Sequence, residues 1–257
     1  MLDLKSKSIS SPHNRGNHTF LRLELKAEEF DPLVRGLIEL LPDHYVDPDA
    51  IARTLEILGK PAAANKLRIK IPEVKKTRSG DIGEVLATDY IEEQTGYSVP
   101  IRKLRWRDHR NMAMRGDDVI GIMVNPQNQT LKFLKAEAKG NQKLSRAVLK
   151  KAREELDSDS GKPTPHALSF IAERLRETGN TGLSDLIEKA LLEIGISQNQ
   201  VQHFLFTLTE SDPSRLQKEA FENYDGAFIQ QSVGVRLSGH QEFIDSVYQG
   251  ILDGLDN

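Results

Sequence analysis

The sequence contains no cysteine. Disulfides, thiolate zinc sites and cysteine nucleophiles are therefore excluded together, and a reducing cytoplasm is the compartment that fits. It also lacks any apolar run approaching the roughly 20 residues that a membrane-spanning helix needs, so no membrane role is expected. Residues 1–18 are polar, rich in Ser, Asn and Lys, and without the apolar block of a secretory signal; they read as a loose arm. There is no surplus of positive charge. At a net −3 the chain exerts no global pull on phosphate backbones, so any nucleic-acid contact must use a local patch. The seven histidines are scattered, with no His-x-x-x-His or His-Glu-x-x-His spacing, which argues against a zinc hydrolase. Neither Gly-x-x-x-x-Gly-Lys-Ser/Thr nor Gly-x-Ser-x-Gly occurs. The chain then has no P-loop and no serine-hydrolase elbow, and if ATP is used, a partner uses it.

What is present is an ordinary globular composition, 38% apolar and 28% charged over 257 residues, enough for one large domain. Period-two alternation predicts a strand over 19–27, and helical spacing predicts a helix over 28–41 that stops at Pro42. A second helix over 48–58 is capped by Asp47 and ended by Gly59. A third, over 79–93, starts with Asp81 as its cap. Three strand-like runs follow, at 98–107, 118–124 and 130–139, the last two joined by the turn-forming Asn125-Pro126-Gln127-Asn128-Gln129. A charged amphipathic helix spans 144–156, and helices over 165–177 and 183–194 read as an inserted hairpin. Strand character returns at 201–209 and 227–237, and an amphipathic helix closes the chain over 241–255.

The chemistry concentrates in two segments, Gly116-Asp117-Asp118-Val119-Ile120-Gly121 and Lys135-Ala136-Glu137-Ala138-Lys139-Gly140. If the two runs pair as an antiparallel hairpin, the start of the first lies beside the end of the second, and Asp118 converges with Glu137 at one sheet edge. Glu137 and Lys139 are two apart and share a strand face, while Leu134, Ala136 and Ala138 occupy the other. Two carboxylates bind a hard cation such as Mg²⁺ or Mn²⁺ through oxygen. The cation supplies Lewis-acid stabilisation and a more acidic water, and the Lys139 ammonium orients that water, which makes phosphodiester hydrolysis the expected reaction. Asp117 rivals Asp118, and since the two point to opposite faces only one of them is expected to be a ligand. Glu84, one residue after Gly83, is either a third carboxylate of the cleft or an acid favoured by a helix N-terminus. Other Glu-x-Lys pairs, Glu24/Lys26 and Glu73/Lys75, have no Gly-Asp strand start one hairpin upstream. The bland alternative for Glu137/Lys139 is a salt-bridged strand surface.

These residues carry a resemblance. The order helix, strands, acid, acid-x-lysine, helix, strand over about 79–209 resembles the PD-(D/E)xK restriction-endonuclease-like superfamily. The two quoted segments resemble the HamA nuclease subunits of the Hachiman antiphage defence system. The resemblance implies an α/β fold with a central mixed sheet flanked by helices, a nuclease core over 79–257 with a helical insertion at about 163–196, and residues 1–78 as an N-terminal packing region of the same compact unit. It implies Asp118 and Glu137 as metal ligands, Lys139 as the catalytic lysine, DNA as substrate, and a superfamily 2 helicase (HamB-like) as the restraining partner. The Pro of the nominal motif is missing, which leaves the choice between Asp117 and Asp118 open. A nuclease acting alone in restriction or repair, and a non-catalytic interaction subunit, are the competing readings.

Lys103, Arg105 and Arg107 are expected on one face of the 98–107 strand, with Lys143 extending the patch, either as a row that holds DNA phosphates or as the charged guard of a solvated edge strand. Trp106, on the opposite face, is either a base-stacking ring or a buried one.

Overall fold

In the computed structural model, which describes residues 1–112, 114 and 116–256, six strands form one mixed sheet. They are β1 (Ser8–Arg15), β2 (His18–Leu25), β3 (Val119–Val124), β4 (Leu131–Gly140), β5 (Val201–Thr209) and β6 (Ile229–Arg236). Their order across the sheet is β1-β2-β6-β5-β4-β3. The three inner pairings β2/β6, β6/β5 and β5/β4 are parallel, and an antiparallel hairpin closes each edge. This is the α/β architecture with a mixed sheet that was expected, and the strand over 201–209 is found at those bounds.

Helices cover both faces. On one side lie α1 (Phe30–Tyr45), α4 (Lys75–Gln94) and α9 (His240–Asp256), with α2 (Pro48–Leu58) and α3 (Lys60–Arg68) beyond them. Leu134, Ala136 and Ala138 of β4, Phe204 and Phe206 of β5, and Val233 and Val235 of β6 turn to this side, and their burial against Leu37, Leu86 and Ile244 makes the main core. On the other side α6 (Pro165–Glu177) and α7 (Thr181–Lys189) cover Ile120, Ile122 and Phe133, while α5 (Arg146–Asp157) and α8 (Ser214–Glu222) pack over Leu205. Helices α6 and α7 form the expected helical hairpin, the second starting at Thr181 and ending at Lys189. Among the described residues no helix is long and apolar enough to cross a membrane.

Four sequence expectations need correction. Residues 8–15 are no loose arm but β1, whose polar residues suit an edge strand paired on one side only. Helix α1 runs through Pro42 to Tyr45, because Leu41, His44 and Tyr45 gain more from burial than the lost hydrogen bond costs. Helix α4 begins at Lys75 rather than at Asp81, which is buried in its interior. The run 98–107 is not a strand: apart from one bridge between Ser98 and Ile122 it is irregular, with a 3₁₀ turn at Lys103–Trp106. Helix α2, by contrast, has the expected Asp47 cap, whose side chain accepts from the amides of Asp49 and Ala50, and ends at Gly59.

Candidate active site

The site is built where β3 meets β4. Their antiparallel ladder ends at Val119↔Ala136, so one further step sets Asp118 opposite Glu137. At that step the Asp118 side chain meets β4 directly: its Oδ2 accepts from the amide of Ala138 at 3.0 Å. The Lys139 ammonium donates to Glu137 Oε1 along the shared strand face. Helix α4 supplies the third acid. Gly140 ends β4 so close to this helix that a Cβ there would lie 2.0 Å from the Ser79 carbonyl oxygen, and a Cβ on Gly83 would lie 3.1 Å from the Gly140 amide. Two glycines face each other across the contact, and Glu84 follows Gly83 into the cleft. Since α4 starts at Lys75, Glu84 is well inside the helix and the N-terminal dipole gives no reason for an acid there.

Burial, and next to it the nearness of other acids, favours the protonated forms of Glu137 and Glu84. Burial pushes the Glu137 carboxyl up to about 8, helped by the charge of Asp118 and opposed by Lys139. Burial likewise pushes Glu84 up to about 8, with Asp118 and Asp81 adding to the rise and Lys103 and Arg107 opposing it. For Lys139, burial works against the charge, but Glu137 and Asp118 outweigh it and hold the ammonium above its ordinary value. Among the described residues no group of three or more acids or histidines is arranged to hold a metal ion as it stands. The donor set nevertheless fits a hard divalent cation: Asp118, Glu137 and Glu84 offer carboxylate oxygens, the sequence has no thiolate to compete, and the mutual repulsion of the acids is what an added positive charge relieves. Asp118, Glu137 and Glu84 would hold it.

A cleft of about 560 Å³ opens over Glu84, Asp118 and Lys139, with Lys76 of α4 and Lys151 of α5 at its rim. Lys76 was missed in the sequence, where it is one of many scattered lysines; only the packing of α4 brings it to the cleft. Lys143 is exposed on the loop between β4 and α5.

Of the remaining sequence candidates, Arg107 borders the cleft and Lys103 and Asp117 a neighbouring cavity, but their charged groups are taken up by the protein itself. Asp117 faces away from Asp118, into a buried pair with Lys135 at 3.4 Å, and accepts from the amide of Thr164 at 2.9 Å. Lys103 donates to the Asp117 carbonyl at 2.6 Å, and Arg105 is bound to Asp47 at 3.0 Å and to the Asp43 carbonyl at 2.8 Å. Arg107 is buried in a bidentate pair with Asp81, which also accepts from Tyr45; Tyr45 in turn meets Tyr248 at 2.6 Å. The three basic residues form no row because no strand aligns them. Trp106 packs edge-on against Phe170 at 5.7 Å and is half-buried against the α6/α7 side of the core. Removing the Arg107 charge leaves a buried carboxylate unpaired, so Arg107→Met is expected to lower stability by about 3–5 kcal/mol in urea unfolding. Nucleic-acid affinity of the folded fraction should not change.

The HamA family model matches residues 2–251. Over 232 residues the chain is 24% identical to "Hachiman protein HamA" of Bacillus cereus, covering 88% of this chain and 82% of that protein.

Proposed function

The chain belongs to the HamA family, and on that premise we propose that it is the metal-dependent, DNA-cutting effector of a Hachiman-type antiphage defence system. The fold is then read as a restriction-endonuclease-like PD-(D/E)xK core. The observation that carries the reading is the meeting of Asp118 with Glu137 at the end of the β3/β4 ladder, with Lys139 against Glu137, and Glu84 lining one cleft with Asp118 and Lys139.

In this reading the carboxylates of Asp118 and Glu137 hold Mg²⁺ or Mn²⁺, and Glu84 adds a further oxygen. A cation bound there supplies Lewis-acid stabilisation of the phosphoryl transition state and lowers the pKa of water. Lys139 orients the attacking water and offsets charge growing on the phosphate. Lys76, Lys151 and Lys143 are exposed, and among the described residues none of them has a salt-bridge partner. They are free to meet DNA phosphates, a role that Lys103, Arg105 and Arg107 cannot fill while they bind the protein's own carbonyls and carboxylates. The chain has no nucleotide-hydrolysing loop. ATP-driven control therefore falls to a partner, for which a superfamily 2 helicase is the proposed candidate, in the cytoplasm.

Supercoiled plasmid incubated with the purified chain, alone and with its helicase partner, tests the reading. Nicking or linearisation is expected with Mg²⁺ or Mn²⁺ and none with EDTA. Cleavage by the chain alone would favour the stand-alone nuclease, and no metal-dependent cleavage in either arm would leave the interaction subunit as the better account.

A further inference from the structure

Asp117, the residue that leads into Asp118, has every oxygen pinned. Its carbonyl accepts from Lys103 Nζ at 2.6 Å, Oδ2 accepts from the Thr164 amide at 2.9 Å, and Oδ1 lies 3.4 Å from Lys135 Nζ. Lys135 is only 1% exposed. Its ammonium is completed by the Ser158 carbonyl at 2.8 Å and the Ser158 hydroxyl at 3.0 Å. Three separate segments thus converge on Asp117, namely β4, the 3₁₀ turn at 103–106 and the residue that caps α6, and the loop after α5 holds the Lys135 ammonium from behind.

A buried ion pair is a weak device for stability, because desolvation of both charges offsets their attraction and apolar residues of similar size often do as well. It is a strong device for geometry. The Asp117 carbonyl belongs to the peptide plane that enters Asp118, so fixing that oxygen fixes the plane, and the plane sets where the Asp118 carboxylate points. Metal sites tolerate misplacement of about 0.5 Å.

We propose that Asp117 and Lys135 are positioning residues: their buried pair, with Lys103 on the Asp117 carbonyl, holds the Asp118 carboxylate in place for a divalent cation. The inference rests on the metal-centre reading of Asp118 and Glu137.

Calorimetric titration of the full chain with Mn²⁺ at pH 8, beside thermal melts without metal, separates positioning from mere stabilisation. The neutral double variant Asp117→Asn/Lys135→Met is expected to melt within about 5 °C of the wild type, since it leaves no uncompensated charge. Its Mn²⁺ affinity should fall by about 10- to 100-fold, the loss typical of groups that orient a ligand. Either single variant should melt lower than the double. A folded double variant that binds Mn²⁺ as tightly as the wild type overturns the proposal. Should the double variant not fold, Lys103→Met, a half-buried site outside the ion pair, decides: about tenfold weaker Mn²⁺ binding supports positioning, and unchanged binding overturns it. A wild type that takes up no Mn²⁺ defeats the metal-centre reading itself, and the inference with it.

Discussion

Glu137→Gln is expected to lower cleavage by at least about 10³-fold and, without metal at pH 9, to melt about 5–10 °C above the wild type. The two effects share a cause. The Glu137 carboxyl is pushed up to about 8 by burial beside Asp118, against an ordinary value near 4.5 in the unfolded chain. Between those values the folded protein holds more protons than the unfolded one, so stability falls as pH rises. The contribution is intact below about pH 4.5 and has been lost once pH passes about 8. With about 1.4 kcal/mol for each unit of pKa, the acidic cluster gives up on the order of 3–5 kcal/mol across that window, or about 10 °C for a chain of this size. Glutamine cannot ionise, so the variant avoids this loss. The melting curves should converge near pH 5 and separate toward pH 9, and Mn²⁺ should stabilise the wild type alone. A gap that stays constant from pH 5 to 9 would show that the repulsion argued for Glu137 does not exist.

Much of this was legible in the sequence, and the rest was hidden for identifiable reasons. The pairing of Asp118 with Glu137 could be read because a hairpin fixes register locally: a short turn between two apolar runs leaves little choice of partner. The β5 bounds and the helix from Pro48 to Leu58 were equally local, the latter through its Asp47 cap and Gly59 stop. The error at 98–107 came from taking alternation for a strand. Lys103, Arg105 and Arg107 alternate with apolar residues, but each basic group finds a tertiary partner on a different element, which no periodicity encodes. Asp81 was misplaced for the same reason. An acid before an apolar stretch resembles a cap, yet here it is the counter-ion of an arginine 26 positions away. The division of labour between Asp117 and Asp118 required coordinates, since only the fold reveals that Lys135 and the Thr164 amide wait on one side and Ala138 on the other.

Gly140→Ala is expected to cost about 100-fold in cleavage and to lower the melting temperature by about 6–12 °C. The added Cβ would lie 2.0 Å from the Ser79 carbonyl oxygen and 2.8 Å from its carbon. Both are backbone atoms, so no side-chain rotation relieves the overlap, and α4 must retreat from β4 by about 1 Å to restore contact distance. That retreat breaks the bond from Ser79 Oγ to the Gly140 carbonyl, now 2.9 Å, and carries Glu84 away from Asp118. Gly80, one residue along the same helix from Ser79, gives the contrast. A Cβ there would meet nothing within 4 Å among the described residues, so Gly80→Ala should raise stability by about 0.5–1 kcal/mol through the helix preference for alanine. Melting both variants and timing plasmid loss by the Gly140 variant checks the argument. If Gly140→Ala melts and cuts like the wild type, α4 does not press on the end of β4, and the placement of Glu84 in the cleft loses its support.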